Sequence, residues 1–108
     1  MYSASHAGTA PVRFSVRDGP SQEYVAAGAV VVGAWTHVVG TVRVEGMVLY
    51  QDGAVVAGTD AAREPALATR ANHWIGRSAW ASNGYFQGAI KSMQIWSRAL
   101  DAAEVARL

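Results

Sequence analysis

Cysteine is absent from the 108 residues, so neither disulfides nor thiolate metal sites can staple this chain. The redox compartment stays open, because a cysteine-free domain folds on either side of a membrane. Charge of one sign is missing as well: nine lysines and arginines stand against eight aspartates and glutamates, a formal net charge of +1. That balance generates no field to gather nucleic acid or anionic lipid, and neither is expected as a partner. Long apolar runs are also lacking. No window reaches the ~20 residues of a membrane-spanning helix, so no membrane insertion is expected. The opening MYSASHAGTAPVRF has neither the basic start nor the continuous apolar stretch of a secretory signal.

What the chain does contain is apolar material in short pieces. It is 51% hydrophobic and 16% charged, with a mean hydropathy of +0.09, which places it among globular proteins on the greasy side. A chain of 108 residues is expected to form one domain over 1–108, burying on the order of 65% of its unfolded surface.

Residues 1–11 read as a frayed lead-in, after which VRFSV at 12–16 alternates as a strand with Val12, Phe14 and Val16 on one face. Asp18 to Ser21 forms a turn cluster, and EYVAAGAVVVG supplies one or two short strands split near Gly28. From Trp35 to Val44, one face carries Thr36, Val38, Gly40, Val42 and Val44. The other carries Trp35, His37, Val39, Thr41 and Arg43, apolar at first and charged at its end. Glu45-Gly46 closes a turn into MVLYQ, and Asp52-Gly53 closes the next into AVVAG. Asp-Gly between alternating apolar residues predicts a type I′ hairpin, because that turn needs positive φ at both central positions. A three-stranded antiparallel meander follows.

Thr59 to Ala71 reads as loop, HWIG at 73–76 as a short strand, RSAWASNGY at 77–85 as loop, and FQGAIKSMQIW at 86–96 as a long strand. Trp35, Trp96, Phe14, Phe86 and Ile95 are assigned to packing. At the end, Asp101 is placed to cap a helix, Glu104 completes a capping box, and Leu100 with Val105 forms a hydrophobic staple.

The order W-T-H-V-V-G-T at 35–41, L-Y-Q-D-G at 49–53, I-G at 75–76, F-Q-G-A-I at 86–90 and I-W-S-R-A-L-D-A-A-E-V at 95–105 resembles the laminin G-like, concanavalin A-like lectin and glucanase family of jelly rolls. The resemblance is strongest over 33–108. It implies an all-β, antiparallel two-sheet sandwich with a short C-terminal helix, and a noncatalytic binding module as its function. Such domains usually run to ~150 residues or more. The chain is therefore expected to be either a fragment or a reduced version lacking the initial strands, with bared edges that pair it into a homo-oligomer. In the family, His37 accompanies Trp35 as framework. An acidic residue often follows F-x-G-x-I, whereas here Lys91 and Ser92 stand, which argues against calcium at that place. By family analogy alone the protein is extracellular or at the cell surface.

Chemistry is sparse. Retaining glucan hydrolysis needs two carboxyl groups about 5 Å apart, and the close acidic pairs, Asp18 with Glu23, Asp60 with Glu64 and Asp101 with Glu104, fall on turns, a loop and a helix cap. His6, His37 and His73 are too scattered for a local metal motif. No catalytic residue, metal or cofactor is expected. Binding is better served: a sugar presents an apolar face ringed by hydroxyls, which suits an aromatic flanked by guanidinium or amide groups. Arg77, Trp80, Asn83 and Tyr85 gather within nine residues and are the candidate ligand-binding set for a glycan or a protein surface. The same aromatics equally suit an assembly interface, so a self-associating structural protein is the alternative, and a degenerate relative of the glucan hydrolases a third.

Overall fold

The computed structural model describes residues 2–5, 11–18, 20–61, 68–78 and 80–108. Six strands and one helix form two three-stranded antiparallel sheets: β1 (Tyr2–Ser5), β2 (Val12–Asp18) and β3 (Ser21–Ala27) in the first, β4 (Val38–Arg43), β5 (Gly46–Gln51) and β6 (Ala54–Thr59) in the second, followed by α1 (Ala102–Ala106). The order within each sheet is sequential, as expected where short turns join consecutive strands. The all-β antiparallel fold closed by a short C-terminal helix agrees with the sequence.

The core follows from alternation. Val12 and Val16 on β2 and Val25 on β3 meet Met47 and Leu49 on β5 in one buried cluster, so the two sheets share their apolar faces. Phe14, Val38 and Val42 pack against it as partly buried neighbours, whereas Val44, expected on the same buried face, is 77% exposed and Thr41 of the other face is buried. Gly40 has a specific role in that contact. A Cβ there would lie 2.5 Å from the Phe14 ring, so glycine is what lets the ring of one sheet settle on the backbone of the other. A bulge at Leu49/Tyr50 in the β5–β6 pairing brings both Val56 and Ala57 to the same cluster.

The opposite face of the second sheet is covered by the helix. Tyr50, Leu100 and Val105 form a second cluster with Val39 and Val48. The helix is only five residues long, too short to persist by itself, and it is held by its ends. Asp101 Oδ1 accepts the Glu104 N–H at 2.8 Å while Glu104 Oε2 accepts the Asp101 N–H at 2.8 Å, the expected capping box. Leu100 and Val105, the two halves of the staple, are 4% and 1% exposed. Arg98 grips the same carboxylate from outside, Nη1 at 2.8 Å and Nη2 at 2.6 Å.

The turns explain themselves. Asp52 and Gly53 take φ of 51° and 83°, both positive, as a type I′ hairpin requires. The preceding turn sits one residue earlier than the sequence suggests: Arg43 pairs with Gly46, leaving Val44 and Glu45 as its two-residue tip. A Cβ on Gly46 would collide with the Thr59 carbonyl oxygen, which accounts for glycine at the first position of β5.

Three expectations are corrected. The lead-in is not wholly frayed, because Tyr2–Ser5 pairs with β2 from Tyr2↔Val16 to Ser5↔Arg13. Small polar residues have weak strand propensity, yet a neighbouring strand supplies the missing hydrogen bonds. Past β3, Gly28 at φ 71° and a turn closed by Ala34 N–H to Val31 C=O replace the second short strand. Most consequentially, neither 73–76 nor 86–96 is a strand. Trp35, Phe86, Ile95 and Trp96, assigned to packing, are 68%, 53%, 84% and 49% exposed. Alternation encodes the two faces of a strand but not the neighbour it needs, and among the described residues no strand lies beside this segment.

Candidate binding site

The stretch from His73 to Phe86 leaves the sheets and returns on itself. Gly76 turns the chain at φ 74°, and its carbonyl accepts the Phe86 N–H at 2.8 Å, closing the neck of the loop. Inside the loop, Ser78 is the organising residue. Its Oγ accepts the Trp80 N–H at 3.1 Å and the Asn83 side-chain Nδ2–H at 2.9 Å, while the Asn83 backbone N–H donates to the Trp80 carbonyl at 3.1 Å. Short polar side chains bonding nearby backbone in this way are what holds a loop without a sheet.

These bonds present two aromatic rings outward, Trp80 at 43% and Tyr85 at 73% exposed. Each of the two tryptophans here has a guanidinium over it. Arg77 lies 4.2 Å from the centre of the Trp74 ring, and Arg17 reaches from β2 to 5.6 Å from the Trp80 ring. Both are within the range where the ring quadrupole attracts a cation.

Of the four residues predicted for the site, Trp80 and Tyr85 are placed as exposed rings. Arg77 is in the loop but stacked on Trp74, and the Asn83 amide nitrogen is spent on Ser78, so its Oδ1 is the atom it can offer a ligand. Sequence reasoning missed Arg17 and Ser78 as contributors to this site. Arg17 lies some sixty residues away and only folding brings it near; Ser78 was within the quoted motif, and its i+2 and i+5 partners were the available signal.

The other residues weighed in the sequence lie elsewhere. His37 is engaged through its backbone: its N–H donates to Asp52 Oδ1 at 2.9 Å and its carbonyl accepts the Asp52 N–H at 2.8 Å, while the residue itself is exposed. His73 donates from Nε2 to the Arg70 carbonyl at 3.1 Å. His6 lies outside the described residues, as do Glu64 and the side chains of Asp18 and Glu23. Asp101 and Glu104 are consumed by the helix cap, and the Arg98 guanidinium holds the Glu104 carboxyl well down, to about 2, helped by the Asp101 N–H. Among the described residues no three His, Cys, Asp or Glu side chains come together to hold a metal ion.

Comparison with known proteins gives a consistent picture. A family model described as the concanavalin A-like lectin/glucanases superfamily, of laminin G type, matches residues 1–106, extending the likeness well before residue 33. Comparison with curated proteins returned no match. Among solved structures, the chain is similar to residues 221–444 of an S-layer domain-containing protein from Clostridium thermocellum ATCC 27405, with 25% identity and a TM-score of 0.66. That alignment covers 89% of this chain and 50% of the other, so the chain spans half the length of the structure it matches.

Proposed function

The chain belongs to the concanavalin A-like lectin/glucanases superfamily, and from that membership we propose that it is a noncatalytic binding module whose recognition element is the loop closed by Gly76 and Phe86. The observation that carries this reading is the internal bonding of the loop through Ser78, together with the exposure of the Trp80 and Tyr85 rings that the loop carries. An exposed ring whose backbone is already fixed loses little entropy on binding. The ligand is a carbohydrate or a protein surface: Trp80 and Tyr85 offer apolar faces, Asn83 Oδ1 an acceptor, and Arg77 a donor that can leave its Trp74 stack at modest cost. A noncatalytic role is supported by what the Asp101 and Glu104 carboxylates do, since that pair is occupied in capping α1.

A glycan array probed with the wild type, Trp80→Ala and Tyr85→Ala tests the reading. Truncating a central aromatic anchor costs about tenfold or more in affinity. No bound glycan, or binding unchanged in both variants, would count against the loop as a carbohydrate site.

A further inference from the structure

The chain exposes far more surface than its mass requires. Its accessible area is 7940 Å², whereas a compact monomer of 11.4 kDa exposes about 5,800 Å². The excess, about 2,100 Å², is more than twice what one partner contributes to a standard interface. The radius of gyration is nonetheless 13.7 Å, close to the roughly 13 Å of a compact chain this long. Much of the extra surface lies along β4 and the segment from Phe86 to Trp96, which face a common concavity.

Those walls border a wide hollow open to solvent. One wall is β4, all of whose residues from Val38 to Arg43 face it. The other is the segment from Phe86 to Trp96. Each wall lacks what the other has. Among the described residues β4 is an edge strand paired only with β5, and it carries no proline, no bulge and a single charge at its end, so its own sequence does not protect the free edge. The segment opposite alternates like a strand, lacks a neighbour, and exposes Phe86, Ile90, Met93, Ile95 and Trp96 by 49% or more. The excursion follows β6 in the chain and ends at buried Leu100.

We propose that the occupant of this hollow is a second copy of the chain, whose Phe86–Trp96 segment adds to the free edge of β4 and receives the reciprocal strand across a two-fold axis. A two-fold arrangement satisfies both unpaired elements at once and closes on itself. The excess area suits this partner, since a reciprocal contact drawing on about 2,100 Å² from each copy falls in the 2,000–5,000 Å² class of obligate homodimers. The near-neutral net charge of +1 sets no repulsion against self-pairing. The proposal stands independently of the binding loop and would survive its failure.

Sedimentation equilibrium from nanomolar to high micromolar protein reads the stoichiometry. The wild type is expected to be a dimer. Ile90→Lys with Ile95→Lys changes side chains that are 51% and 84% exposed in the single chain, so the variant should keep its far-ultraviolet circular dichroism yet dissociate about a hundredfold more readily. Hydrogen exchange adds a positional readout: the β4 amides that point away from β5 should be protected in the wild type and exchange freely in the variant. A wild type that stays monomeric throughout overturns the proposal. So does a dimer indifferent to both lysines, or one whose β4 edge exchanges freely, because such a dimer uses another surface.

Discussion

Asp52 joins three strands through one residue, and its substitution separates two physical contributions. It sits at φ 51°, ends β5, opens the type I′ turn into β6, and accepts the His37 N–H just before β4. Asp52→Asn keeps both an oxygen acceptor and the tolerance of a left-handed backbone, and loses only the charge on the hydrogen bond. At an exposed position this costs about 0.5 kcal/mol. Asp52→Ala removes the acceptor, about 1 kcal/mol, and forces a residue with no local polar compensation into the left-handed region, a further ~1 kcal/mol. The expected loss of ~2 kcal/mol corresponds to a fall in Tm of roughly 10 °C for a domain this size. Urea unfolding at fixed protein concentration measures both variants, and hydrogen exchange at the His37 amide should accelerate in the alanine variant alone. Equal destabilisation by alanine and asparagine would refute the left-handed argument; an unchanged His37 exchange rate in Asp52→Ala would refute the hydrogen bond.

Leu49→Ala, at a fully buried site shared by both sheets, should cost 2 to 5 kcal/mol by the usual range for a deleted core leucine. Val32→Ala at a fully exposed turn position should stay within about 0.5 kcal/mol, checked in the same urea series. The Glu104 carboxyl is held at about 2 instead of 4.5, so its contribution is fully present above pH 4.5 and lost as the pH falls toward 2. Thermal melts across that window should show a decline that Glu104→Gln reduces.

Legibility varied with the range of the cause. The Asp52-Gly53 hairpin, the capping box at Asp101 and Glu104, and the Leu100–Val105 staple were all readable, because each is an interaction among residues a few positions apart. The core residues Val12 and Val16, and Val38 and Val42 that pack against the core, were readable from alternation. The candidate loop was legible in part. Its aromatics stood together in RSAWASNGY, but the Arg17 contact to Trp80 depends on β2 arriving from elsewhere in the chain. At His37 the same boundary holds: its backbone pairs with Asp52 from fifteen residues away, a contact that folding supplies.

The family, the antiparallel strands and the capped helix were thus determined by sequence, since turn dihedrals, capping bonds and two-residue periodicity act locally. Only the tertiary structure decided which alternating segments acquire neighbours. Val12–Asp18 and Val38–Arg43 found them and turn apolar side chains onto the core, whereas Phe86–Trp96, with an equally strand-like pattern, has none beside it among the described residues and leaves its aromatic and aliphatic side chains exposed. A strand is stabilised by bonds to another strand, and the presence of that partner is a property of the whole fold.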